Sequence, residues 1–187
     1  MKKTVYFLFL IILTNCSVAQ NHETNFRTKK YRSYMKNFIL GEIDSRSKIG
    51  LKIEDEIISK PTYDLNISLI DLFDDNHFYL INPIKPDSKK RMLSFDKMFN
   101  ANEYKSMKLQ IMQSELKTWS QLIGNKNLIP KDQSIQPKLK YSIPVFNKDF
   151  SFAIVYIESL NSGELRAYKR VKNKWIIYGV VGIWSAD

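Results

Sequence analysis

The chain reads as a single α+β domain, with an antiparallel β-meander at the C-terminal end packed against one long amphipathic helix. Three observations predict this. Between residues 102 and 123, apolar side chains recur at Leu109, Met112, Leu116, Trp119 and Ile123, in steps of 3, 4, 3 and 4 that line one face of a helix. From residue 141 onward the pattern changes to short β-type runs separated by turn-forming residues. With 187 residues, 44% of them hydrophobic and 13% aromatic, the chain is long enough and apolar enough to close one core.

The elements follow in order. Residues 1–19 have the three-part layout of a secretory signal peptide: Lys2 and Lys3, an unbroken apolar run from Val5 to Leu13, then a polar or small stretch to Ala19. The run is too short to span a bilayer, which takes ~20 helical residues. A buried N-terminal helix or strand is the competing reading, and an apolar run with no polar face suits it poorly. Two processing routes compete. Ser17-Val18-Ala19 places small residues for ordinary cleavage before Gln20. Leu13-Thr14-Asn15-Cys16 resembles a loose lipoprotein box, with Cys16 as the lipidated residue. Ordinary cleavage removes the single cysteine, and with it any disulfide, thiol nucleophile or thiolate metal ligand.

Residues 20–30 are polar and read as a mobile lead-in, leaving 31–187 as the domain. Tyr31, Tyr34, Met35 and Phe38 share one helix face, and Gly41 is placed to stop that helix. Ile49, Leu51 and Ile53 alternate as in a strand. Leu65, Ile67 and Leu69 repeat the alternation, although residues 68–73 also suit a helix. Residues 82–90, with two prolines, form a loop. A short helical turn over Ser94–Phe99 precedes the long helix, which Asn102 caps and Gly124 ends. After a connector over 125–138, a strand from Tyr141 to Phe146 is broken or edged by Pro144. Phe150 to Ile157 is apolar at nearly every position, as in a strand buried on both faces. Asn161-Ser162-Gly163 turns the chain. Two more strands, Leu165–Val171 and Trp175–Trp184, join at Lys172-Asn173-Lys174.

Charge is uneven. Whole, the chain carries +10; without residues 1–19, 27 basic residues face 19 acidic ones, for +8. Residues 51–80 are net −5, and the flanks 21–50 and 81–110 are each +4. A basic exported protein meets anionic lipid headgroups, lipopolysaccharide or acidic polysaccharide. Nucleic acid is disfavoured, since no recognition motif is present. The tightest basic runs are Lys89-Lys90-Arg91 and Lys169 to Lys174. Both also suit a plain solvated surface, the second as a lysine-protected strand edge.

The last third of the chain adds a resemblance. Tyr141-Ser142-Ile143-Pro144-Val145-Phe146-Asn147-Lys148-Asp149, the strand Phe152-Ala153-Ile154-Val155-Tyr156 and the hairpin Tyr168-Lys169-Arg170-Val171-Lys172-Asn173-Lys174-Trp175 resemble a tail of small exported proteins of unknown function from Bacteroidota-type bacteria. The resemblance implies export and no nameable activity, so it carries over no catalytic residue. Two departures stand out. Lys174 occupies a position where such hairpins usually have Gly, which weakens a primed two-residue turn. The loop 159–163 lacks the paired Cys-Gly of several members.

The usual chemistries find little support. No Gly-rich phosphate loop and no Gly-x-Ser-x-Gly elbow is present. A dispersed triad would have to use His77, because His22 lies in the lead-in. The densest candidate site is Asp71-Leu72-Phe73-Asp74-Asp75-Asn76-His77. There Asp71, Asp74 and Asp75 offer hard oxygen ligands and His77 a proton shuttle, but the Gly and ligand alternation of a calcium loop are missing. The same segment also reads as a polar turn between apolar runs. Glu54, Glu56, Glu115 and Glu158 are available as carboxylate pairs, and none is singled out. Glu115 and Glu158 are expected to face solvent or pair with cations. Trp119, Trp175 and Trp184 suit a carbohydrate-stacking platform, or a core in which each indole N–H is bonded locally.

The resulting expectation is an exported protein, periplasmic or secreted or else lipid-anchored at the envelope through Cys16. Its role is that of a non-enzymatic envelope-associated binding or accessory module. The alternative is a metal-dependent or acid/base hydrolase centred on Asp71–His77. No cofactor and no metal is expected. Partners are expected among anionic envelope components or polysaccharide, with the membrane reached only by a lipid on Cys16.

Overall fold

A computed structural model describes residues 29–59, 77–80, 91–94, 99–112, 114–124 and 138–186. The elements run α1 (Lys29–Ser47), β1 (Lys52–Ile58), β2 (His77–Leu80), β3 (Arg91–Ser94), α2 (Ala101–Met112), α3 (Trp119–Ile123), β4 (Lys138–Ser142), β5 (Val145–Phe146), β6 (Phe152–Glu158), β7 (Ser162–Val171) and β8 (Lys174–Ser185). The strands form one eight-stranded sheet in the order β1-β4-β6-β7-β8-β2-β3, with β5 paired to β6 beside that path. All pairings are antiparallel except β1 with β4. The C-terminal meander β6-β7-β8 is thus the centre of an α+β fold.

Side chains alternate across a strand, so β6 divides its apolar residues between two cores. Ala153, Val155 and Ile157 join Tyr31, Met35, Phe38 and Ile39 of α1 in one core. Ile154 and Tyr156 join Phe99 and Met107 of the α2 region in the other. Helices therefore cover both faces of the sheet, as the two-sided burial expected of this strand requires. Phe38 meets Tyr168 and Trp175 edge-on, with centroids 5.0 and 5.8 Å apart, tying α1 to β7 and β8.

The expected continuous helix over 102–123 is two helices. Met107 serves the second core, while Trp119 and Ile123 serve the first. One straight rod cannot reach both sides of a sheet. The chain leaves the helix after Met112, which is 68% exposed despite its place in the apolar stripe. It then runs along β1, where the Ile57 N–H donates to Lys117 O at 2.9 Å and Glu56 bridges Thr118. Thr118 restarts the helix through a capping box with Gln121, and Gly124 ends it at φ 74°. Asp55 Oδ1 accepts from the Ser120 N–H at 2.7 Å, and Lys36 Nζ donates to Ile123 O at 3.0 Å. Both ends of this short helix are thereby held from outside.

Other boundaries also move. α1 begins at Lys29, inside the expected lead-in, and runs through Gly41 to Ser47, because Glu42 and Arg46 one turn further on are anchored. Asn100, not Asn102, caps α2: its Oδ1 accepts from the Glu103 N–H, and Glu103 Oε2 accepts from the Asn100 N–H. Ser94 closes β3, and residues 95–98 of the expected helical turn lie outside the described residues. Ile49 is 64% exposed and precedes the strand it was expected to join. The 141–146 strand is interrupted at Ile143-Pro144, as Pro predicts. The β7–β8 connection does form a primed two-residue turn. Lys172 and Asn173 take φ 47° and 63° between paired Val171 and Lys174, so Lys174 needs no unusual conformation. Residues 1–28, 60–76, 81–90 and 125–137, with the leader, the 65–73 alternation, the proline loop and the connector, lie outside the described residues.

Buried Gln110 of α2 completes the short strand β5. Its Nε2 donates to Phe146 O at 2.6 Å, and its Oε1 accepts from the Phe146 N–H at 2.8 Å. The amide acts as a one-residue neighbouring strand. Gln110→Leu leaves both backbone groups buried and unbonded, and is expected to cost about 2–4 kcal/mol, read as a lowered urea midpoint. An unchanged midpoint would show that water replaces the amide.

Candidate functional site

An open groove of about 700 Å³ lies between the first turns of α1 and the β7–β8 hairpin. Helical spacing brings Lys29, Lys30, Ser33, Tyr34 and Asn37 to one wall. Arg170, Asn173 and Trp175 form the other. None of these residues is acidic. Among the described residues, Lys29, Lys30 and Arg170 have no carboxylate partner.

The groove is held by an aromatic stack. Phe150 and Tyr34 lie nearly parallel with centroids 4.4 Å apart. The Arg170 guanidinium sits 4.6 Å from the Tyr34 centroid, and Lys30 Nζ lies 5.3 Å from the Phe150 centroid. Phe150 reaches this position through a left-handed backbone, φ 59°, which costs a non-glycine residue about 1–2 kcal/mol. The turn around it supplies the compensation. Asn147 Oδ1 accepts from the N–H groups of Ser151 and Phe152, both at 2.9 Å, and Asp149 Oδ1 accepts from the Ser151 hydroxyl at 2.7 Å. That last bond holds the Asp149 carboxyl below its ordinary pKa. Strain maintained by its surroundings is a feature of functional sites. Here it places Phe150 against the Tyr34 ring on which Arg170 packs.

Further along α1 a carboxylate is buried. Glu42 Oε2 accepts from Tyr141 Oη at 2.9 Å, Tyr168 Oη at 3.1 Å, Arg46 Nη2 at 3.1 Å and Arg46 Nε at 3.3 Å. Arg46 Nε also donates to Tyr141 Oη at 3.0 Å. Burial disfavours the Arg46 charge, but Tyr141, Glu42 and Tyr168 outweigh it and raise the pKa. On the same strand face, Arg166 pairs with Glu164, while its Nε and Nη1 are buried without a hydrogen-bond partner among the described residues. This cluster joins α1 to β4 and β7, and its groups are committed to one another rather than to a cleft.

The opposite face holds a second polar knot. Tyr156 Oη donates to Glu158 Oε1 at 2.7 Å and accepts from Trp184 Nε1 at 2.9 Å. Gly163 makes room for it, since a Cβ there would overlap both Trp184 Nε1 and Tyr156 Oη. Of the two expectations for Glu158, facing solvent or pairing with a cation, burial within β6 removes the first, and Tyr156 supplies a donor to it.

The sequence candidates are scattered. Asp71, Asp74, Asp75 and Cys16 lie outside the described residues. His77 opens β2, its backbone opposite Ser94. Among the described residues, no three His, Cys, Asp or Glu side chains cluster as metal ligands. Glu54 and Glu56 pair with Lys140 at 3.7 and 3.1 Å, and Glu115 is exposed in the link between α2 and α3. The three tryptophans form no common platform: Trp119 is core, Trp184 bonds Tyr156, and Trp175 alone lines the groove. Trp119 Nε1, expected to find a local partner, has none among the described residues. Of the basic run Lys169–Lys174, expected as a solvated strand edge or an anion-meeting surface, Arg170 and Asn173 line the groove. Lys29 and Lys30 were hidden in the expected lead-in. No described helix is long and apolar enough to cross a membrane. Comparison with family models, with curated proteins and with solved structures finds no match to this chain.

Two predictions follow from the buried cluster. Glu42→Ala leaves Arg46 buried and unpaired, and is expected to cost about 3–5 kcal/mol in urea unfolding. A loss below about 1 kcal/mol would place the pair among weak surface bridges. Burial also raises the pKa of Tyr31, Tyr141 and Tyr168, with Glu42 adding to the shift at the latter two. Unfolded tyrosines ionise near pH ~10. The folded state therefore holds more protons above that pH. The stability so linked is complete below pH ~10 and lost as pH climbs past it. The urea midpoint should fall steeply there, and Tyr168→Phe should flatten the slope; a level profile would contradict the linkage.

Proposed function

We propose that this chain is an exported, non-enzymatic envelope-associated binding or accessory module, and that the cationic groove is its binding surface for anionic envelope components. One observation carries the reading: three cations from two separate elements converge on a groove that has no acidic lining residue. Cations on a protein surface are usually interspersed with carboxylates, and grouping them without counter-charges raises the local concentration of anions. The leader with Lys2, Lys3 and the Val5–Leu13 run supports a location outside the cytoplasm, and the +8 balance beyond it favours acidic partners. Polar groups beyond the groove, at Glu42 and at Glu158, are engaged in bonds that hold the fold.

The test is titration with a sulfated oligosaccharide at rising salt. Affinity should fall as ionic strength screens the charges, and Lys30→Ala with Arg170→Ala should weaken binding several-fold at low salt. Binding that ignores both salt and these substitutions would remove the groove from the function. Turnover of a hydrolase substrate abolished by His77→Ala would remove the non-enzymatic reading. Mass spectrometry of native material should show residues 1–19 absent, or Cys16 acylated; an intact Met1 in the cytosolic fraction would remove export.

A further inference from the structure

We infer that the groove is selective for an acidic saccharide, a carbohydrate whose rings carry carboxylate groups. This rests on the binding-module reading and names its ligand class.

Arg170 is the central group. Its guanidinium carbon lies 4.6 Å from the centroid of Tyr34, which is itself stacked on Phe150. The stack restrains the side chain where it lines the groove. Among the described residues its side chain makes no hydrogen bond or ion pair. A restrained, uncommitted guanidinium matches the two oxygens of a carboxylate in bidentate fashion. Because the stack is already formed, little side-chain entropy is lost when the ligand arrives.

The remaining lining residues argue for a sugar rather than a small anion. Ser33, Asn37 and Asn173 offer neutral donors and acceptors, the complement of hydroxyl groups. Tyr34 already packs against Phe150 and Arg170, which leaves it little ring surface for a ligand. Trp175, half-buried against Phe38 and Phe146, supplies the apolar wall instead. The volume falls within the ~300–1,000 Å³ of small-ligand sites, far more than a lone anion fills. The cations stand on both walls, Lys29 and Lys30 on α1 and Arg170 on the hairpin. That spread suits charges repeated along a chain of rings better than charge concentrated on one phosphate.

Calorimetric titration of the purified protein tests this with four probes: trigalacturonate, its methyl ester, citrate and a hexose phosphate. Trigalacturonate is expected to bind at least about tenfold tighter than each of the others, a difference of ~1.4 kcal/mol. Arg170→Lys keeps the charge but loses the fork, and should weaken trigalacturonate about tenfold. Asn173→Gly keeps the turn conformation and should weaken it several-fold with the urea midpoint unchanged. Citrate binding as tightly as trigalacturonate would overturn the saccharide assignment, and a preference for the hexose phosphate would overturn the carboxylate; the binding-module reading survives either result. An Arg170→Lys protein with unchanged affinity would also sink the assignment. If neither trigalacturonate nor the sulfated oligosaccharide binds, both readings fall together.

Discussion

One carboxylate oxygen holds the first layer of this protein to its sheet. Glu42 Oε2 receives Tyr141 from β4, Tyr168 from β7 and the guanidinium of Arg46 from its own helix. A buried charge is tolerated only when its donors are already arranged, and here those donors join the three elements at one point. The apolar contacts around Met35, Phe38 and Ile39 supply most of the burial, but they would tolerate small slides along the sheet. The hydrogen bonds to Glu42 do not. They set the register of α1, and therefore which of its residues face the hairpin at the other end.

The groove inherits its shape from that register. Phe38 wedged against Tyr168 and Trp175 places Tyr34 one turn back, under Arg170 and beside Phe150. The left-handed Phe150 and the Asn147 turn complete the support from the sheet side. A solvent-facing arginine is ordinarily a mobile charge. Here an ordered chain of contacts runs from a buried carboxylate to a guanidinium packed on an aromatic ring, which restrains one cation of the basic patch.

Much of this was legible in the residues, for identifiable reasons. The unbroken apolar run of β6 announces two-sided burial, and the spacing of Tyr31, Tyr34, Met35 and Phe38 announces the buried face of α1. Lys169 to Lys174 contains two lining residues of the groove, Arg170 and Asn173, but nothing in the run sets them apart from a solvated strand edge. Glu42 was not legible: its partners are 99 and 126 positions away, and a glutamate in an amphipathic helix ordinarily faces water. The break after Met112 was hidden for a different reason. Periodicity shows that side chains share a face but not what that face meets, and Met107 and Trp119 meet opposite sides of the sheet. Lys29 and Lys30 belong to the site only because the helix starts earlier than its apolar pattern does.

The link between α2 and α3 has a consequence for how copies of this molecule behave toward one another. Among the described residues β1 is the terminal strand of its side of the sheet, and a terminal strand offers free N–H and C=O groups to any extended chain nearby. Residues 117 and 118 lie along it and take up part of that offer. A continuous helix would have left the margin bare and prone to templated self-association. By unwinding for a few residues, the chain places a built-in blocker where another molecule could otherwise attach, while the same residues become the cap from which α3 begins.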